Sequence, residues 1–268
     1  MLKDITLGQY FPGNSIAHKL DPRTKILLVT LYIIALFSAK GWMGYAVMAV
    51  TLAACVKVSH VGLRALVRGL KPLVFIIAFT GILNMFFTPD THYLWEWAIL
   101  RVSVKGIENA LFMVIRIMLL VMGTFLMTYT TSPIRLTDGL ESLLNPLKKI
   151  HVPVHELAMM MAIALRFIPT LIEETDKIMS AQKARGADFD SGNIFQKAKA
   201  LVPILVPLFI SAFRRADELA TAMECRCYHG GEGRTKLHVL KYQRRDYVAL
   251  AGGVVILALV VVLRRLGT

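Results

Sequence analysis

The chain has 268 residues, 56% of them hydrophobic and only 18% charged, with a mean hydropathy of +0.57. That balance excludes an ordinary soluble domain and points to an integral membrane protein. The net charge of +13 is spread between apolar runs rather than gathered in a basic stripe with interleaved aromatics. This fits cytoplasmic loops beside anionic lipid and argues against nucleic-acid binding.

The segment from Met1 to Lys25 is polar, with no apolar core of a cleavable signal. Asp21-Pro22 supplies an N-cap and first helical residue for the span that follows. Ile26 to Val56 is apolar except for Lys40, and Lys40-Gly41 reads as a tight turn between two spans. Each half is shorter than the roughly 20 residues of a perpendicular crossing, so these helices are expected to extend into flanking residues or sit deep against neighbours. Cys55, in the second run, reads as a small core residue. Three cysteines at irregular spacing give no disulfide framework.

A basic loop follows (Lys57, His60, Arg64, Arg68, Lys71), then a third span over Pro72–Phe87. Residues 88–97 form an aromatic turn with two acids, as at a membrane interface. The fourth span runs from Ile107 to Tyr129 and carries Arg116, a charge that must face protein or snorkel. Its expected role is structural, bonded to backbone carbonyls or to a carboxylate. A last apolar run covers Tyr247–Leu263. With the N-terminus inside, the largest basic regions fall on the cytoplasmic side, and Arg264-Arg265 are a mild violation. The organisation is thus four spans in residues 1–130, a cytoplasmic domain in 131–246 and a C-terminal span in 247–268.

Within the cytoplasmic domain Pro146, Pro153, Pro169, Pro203 and Pro207 interrupt the apolar runs, which predicts separate or kinked helices. Two stretches repeat at an offset of 41. DKIMSAQKARG starts at Asp176 and DELATAMECRC at Asp217, each with an arginine nine residues on, Arg185 and Arg226. Leu171, Ile178 and Ala181 form an apolar stripe in the first, with Glu173, Glu174, Asp176 and Lys177 on other faces. In the second, Ala212, Ala216, Leu219, Ala220 and Met223 do the same. A cation at a helix C-terminus gains up to about 1 kcal/mol from the macrodipole, and Gly186 is an ordinary terminator. Two such ends at matched spacing suit guanidinium forks onto carboxylates across a protein interface.

Covalent chemistry finds no support. There is no Walker A loop; His155-Glu156 lacks the second histidine of a zinc protease; Gly230-Gly231-Glu232-Gly233 follows no strand. No acid pair lies inside a span. Cys225, Cys227 and His229 chelate poorly, because alternate helical residues diverge, and the two cysteines read as helix-end packing residues. No cofactor and no resident metal are expected.

Four segments carry a family resemblance: His18-Lys-Leu-Asp-Pro-Arg-Thr-Lys25, Asn145-Pro-Leu-Lys-Lys149, Leu165-Arg-Phe-Ile-Pro-Thr170 and Ala184-Arg-Gly186. The chain resembles, over nearly its whole length, the transmembrane T-component of energy-coupling factor (ECF) transporters. The resemblance implies an all-α, L-shaped scaffold of about five transmembrane helices plus cytoplasmic amphipathic coupling helices, multi-pass in a prokaryotic plasma membrane. It implies two ATPase subunits that bind ATP and Mg, docked on two Ala-Arg-Gly motifs, and a separate substrate-binding S-component for a vitamin or other micronutrient. The scaffold itself is not an enzyme. The first motif corresponds to Ala184, Arg185 and Gly186; the second departs from the pattern as Cys225, Arg226 and Cys227, which puts its glycine-dependent turn in question. Asp176, Asp217, Arg116, Arg166, Asp21 and Arg23 are expected to play supporting structural or coupling parts. A dedicated cobalt or nickel importer is the alternative within the family. A conventional ABC permease lacks its E-A-A-x3-G loop here, a membrane enzyme lacks catalytic groups, and a membrane-surface adaptor would not depend on the arginines.

Overall fold

The computed structural model describes residues 10–88, 93–97, 100–187, 189, 193–230 and 239–266. Its elements run α1 (Ile16–Lys19), α2 (Pro22–Ser38), α3 (Gly41–Ser59), α4 (Leu63–Leu70) and α5 (Val74–Phe87), then a two-stranded hairpin, β1 (Tyr93–Trp97) and β2 (Leu100–Ser103). The chain continues through α6 (Val104–Thr130), α7 (Pro133–Leu144), α8 (Val154–Ala184), α9 (Ile194–Cys225) and α10 (Arg244–Arg265). This is an all-α membrane fold. Among the described residues, six helical runs are long and apolar enough to cross a membrane: 41–59, 63–87, 104–130, 154–184, 195–225 and 244–265.

The sequence reading is extended at several points. α2 and α3 do reach into their flanks, starting at Pro22 and ending at Ser59. The basic loop is largely helix: Lys57 closes α3, and α4 exposes Arg64 and Arg68 while Leu66 and Leu70 are buried. Cations one turn apart on one face and leucines one turn apart on the other make an amphipathic helix, not a loop. The aromatic turn contains a strand, β1, paired antiparallel with β2. Cys55 is exposed rather than in the core, since a small apolar side chain on a span loses nothing by facing lipid. Pro169, Pro203 and Pro207 lie inside continuous helices. Each proline removes one backbone hydrogen bond, and long helices keep enough others to run through.

Among the described residues two compact units divide the chain, one within 141–239 and the other residues 10–140 with 240–266. In the second, Ala35, Leu36, Met48, Leu66 and Val260 make a close-packed core. A polar layer joins its helix ends. Asp21 caps α2 by accepting the Arg23 N–H at 2.9 Å, with Pro22 at the first helical position as expected. Asp246, 1% exposed, accepts the Asp21 N–H at 2.9 Å through one oxygen and the Gln243 N–H at 2.8 Å through the other. One carboxylate thus caps two helices, α2 and α10, where their open N–H groups and dipoles favour an anion. Arg23 donates to the Leu240 carbonyl at 3.0 Å and lies over the Tyr242 ring.

Lys25 points inward, donating to the Thr130 carbonyl at 2.8 Å and the Thr131 hydroxyl at 3.0 Å at the end of α6. Arg116 is held by a phenol rather than by carbonyls or a carboxylate: its Nε donates to Tyr45 Oη at 2.9 Å, beside the Tyr45 and Phe37 rings. Cation–π contact and one hydrogen bond offset the cost of a charge in an apolar layer.

Candidate functional site: two arginine-tipped helices

The repeat seen in the sequence is also a repeat of backbone geometry. One turn before each end, a hydroxyl bonds back four residues: Ser180 Oγ to the Asp176 carbonyl at 2.7 Å, and Thr221 Oγ1 to the Asp217 carbonyl at 2.9 Å. The ends themselves close in the same way. In α8 the Gly186 N–H reaches the Lys183 carbonyl and the Ala187 N–H the Gln182 carbonyl, both at 3.0 Å. In α9 the Cys227 N–H reaches Glu224 at 2.8 Å and the Tyr228 N–H reaches Met223 at 3.0 Å. Both are Schellman closures, which satisfy carbonyls the helix leaves open.

Such a closure requires a left-handed residue after the arginine. Gly186 supplies it at φ +84°, and Cys227 supplies it at φ +57°. The turn therefore survives the loss of glycine, at a local cost of about 1–2 kcal/mol for placing a Cβ in that region. Cys225 and Cys227 are both exposed, so they are not the packing residues the sequence suggested. Among the described residues no three His, Cys, Asp or Glu side chains gather as metal ligands.

Ala184, Arg185, Gly186 and Arg226 are exposed as well. Neither tip guanidinium has a hydrogen-bond or ion-pair partner among the described residues. Each is an unspent set of donors on a rigid end, able to take a carboxylate or a run of carbonyls from outside. Asp176 is half-buried, whereas Asp217 and Arg166 are exposed. Asp21, Arg23 and Arg116 belong to the other compact unit and serve its helix ends and spans.

Sequence reasoning missed the residues that join the two helices. Glu174 accepts a hydrogen bond from the Ser211 hydroxyl through Oε1, and Oε2 pairs with Arg215 Nη2 at 3.0 Å. Further along, Gln182 Nε2 approaches the Pro203 carbonyl at 3.5 Å. That carbonyl lacks its usual helical donor, because the residue four positions on is Pro207. As α8 advances from Glu174 to Gln182, its contacts on α9 retreat from Arg215 and Ser211 to Pro203. The helices therefore pass one another in opposite senses. The signal available in the sequence was the offset itself: Glu174 and Arg215 are 41 apart, matched positions of opposite charge.

Away from this joint the pair is apolar and uncovered. Phe195, Leu205, Phe209 and Phe213 of α9 and Met160 and Met161 of α8 are all exposed. Phe209 and Phe213 meet edge to face.

The family described as CbiQ, cobalt transport protein, matches residues 13–237. Proteins named energy-coupling factor transporter transmembrane protein EcfT align along nearly the full chain. The one from Ruminiclostridium cellulolyticum is 52% identical over 98% of both chains. That from Clostridium kluyveri is 56% identical over 93% of both, and that from Bacillus subtilis is 46% identical over 98% of this chain and all of its own. Matches of this extent span the bundle and both arginine tips alike, and the chain belongs to the CbiQ/EcfT family of transmembrane components of energy-coupling factor transporters.

Proposed function

We propose that the chain is the non-catalytic scaffold that couples ATP hydrolysis on two partner ATPase subunits to uptake of a vitamin or other micronutrient held by a separate S-component. Arg185 and Arg226 are the docking groups, with Ala184, Gly186, Cys225 and Cys227 shaping the turns that present them. Residues 131–246 act on the cytoplasmic side, where ATP is found, and the N-terminus lies on the same side. The uncovered apolar surface of α8 and α9 faces the S-component and lipid.

One observation carries this reading: two matched helix ends, each with an unpaired exposed guanidinium, leave their joint in opposite senses. Eleven residues separate Glu174 from Arg185 and Arg215 from Arg226, about 16 Å along each helix. Two docking points set apart in this way suit a pair of subunits better than one groove. The relatives' names, which speak of an energy-coupling factor transporter, support a general module over one dedicated to cobalt, although the family's description mentions that metal.

The test replaces Arg185 and Arg226 by alanine together and measures co-purification with the ATPase subunits and uptake in cells. The expected result is a folded membrane protein that loses both. Retention of the subunits and of uptake refutes the proposal.

A further inference from the structure

We propose that Glu174 and Arg215 are positioning residues: their ion pair is the pivot at the crossing of α8 and α9 that fixes the angle between the two arginine tips. The proposal rests on the docking reading above and extends it to how motion at one tip reaches the other.

Location comes first. The pair stands the same eleven residues from each arginine, so it ties matched positions of the two arms, while the longer Gln182 contact with the Pro203 carbonyl, at 3.5 Å, lies nearer the α8 tip.

The charge pattern is the second argument. At the 41-residue offset the copies keep Asp176 with Asp217 and Arg185 with Arg226, yet they invert Glu173 with Arg214, Glu174 with Arg215 and Lys177 with Glu218. Two similar helices running in opposite senses bring one of these matched pairs, Glu174 and Arg215, face to face. Identical charges there would repel, so the inverted sign at that position is what a joint made from a repeat requires.

The bond itself is the third. Among the described residues it is the one ion pair that ties α8 to α9. It is single-pronged: only Nη2 of Arg215 engages Glu174, while Nε is shut from solvent without an acceptor. Oε1 is taken by Ser211, one α9 turn earlier. A fork-to-fork pair would lock both planes, whereas one prong plus a hydroxyl keeps the helices in contact and lets them rotate. Side chains 22% and 37% exposed keep such a pair weak enough to bend without breaking the unit.

Spin labels at Ser180→Cys and Thr221→Cys, matched exposed positions one turn behind the tips, read the angle once the three native cysteines are replaced by serine. Distances are measured by pulsed EPR on the free chain and on its complex with both ATPase subunits, with ADP and with ATP. Glu174→Arg and Arg215→Glu are each expected to keep both subunits bound, broaden the distance distribution and lose its ATP-driven shift. The exchanged pair Glu174→Arg with Arg215→Glu is expected to restore both. Arg215→Lys, which keeps the charge, is expected to retain the shift and carries the test if a reversal variant fails to fold. A narrow, ATP-responsive distribution in the single reversals overturns the proposal, as does an exchanged pair no better than either single, or loss of the shift in Arg215→Lys. Failure of the docking reading is a separate measurement, subunits retained by the Arg185→Ala, Arg226→Ala chain, while the joint is also read without subunits.

Discussion

The span bundle and the α8–α9 pair handle burial in opposite ways. In α2 alone Pro22, Thr24, Lys25, Ala35 and Leu36 are buried, and the buried acid Asp246 has its helix-cap partners. In α8 only Val154 and Ala158 are buried, and in α9 only Ile204, among the described residues. The bundle has a buried core of its own, although its outer faces, Phe37, Trp42 and Phe75 among them, are exposed too. The pair buries far less and leaves its aromatic face and both tip guanidinia open, as an interaction surface does. A scaffold built this way confines change to the part whose contacts are made and broken.

Three substitutions bear on that contrast. Asp246→Ala leaves the buried Asp21 N–H and the part-buried Gln243 N–H without their acceptor and is expected to cost about 2 kcal/mol, read as a lowered melting temperature in detergent. The tips should still bind ATPase subunits in whatever fraction stays folded. Equal loss of docking per folded molecule would mean that the two regions are not independent. Gly186→Ala comes next: a Cβ at φ +84° costs about 1–2 kcal/mol locally. It should weaken subunit binding by up to about tenfold without moving the bundle's melting temperature. Cys227→Gly is the smallest. It relieves the strained turn of the second tip by about 1 kcal/mol or less, once the entropy of glycine is set against it. Subunit affinity is expected to stay equal or rise slightly; a marked loss would show that the thiol itself contacts the partner.

Much of this arrangement was legible beforehand. Period and hydropathy located α2, α3, α5, α6 and α10 within a few residues, and Asp21-Pro22 marked a helix start because capping is a local interaction. The arginine repeat was visible because helix ends carry their signal within one turn. Hidden features were those decided by other segments. Prolines in 169–207 left separate and kinked helices both open, since the sequence does not show how many remaining hydrogen bonds keep a long helix intact. Cys227 read as a threat to its turn, yet the closing bonds to Glu224 and Met223 outweigh a Cβ penalty. Glu174 was placed off the apolar stripe with no partner, because its partner lies on another helix. Offset and sign together could have paired it with Arg215.

The Asp246 carboxylate also has a meaning in time. It holds the amide of Asp21 from 225 positions further along, so the cap residue of the first long helix, although its own carboxylate already takes the Arg23 N–H, keeps an unpaired amide until nearly the whole chain has left the ribosome. Every helix in between is made before that bond exists. The bundle closes as a ring closes, with its earliest and latest parts meeting, and a nascent chain halted ahead of Arg244 has an open seam at its very first turn.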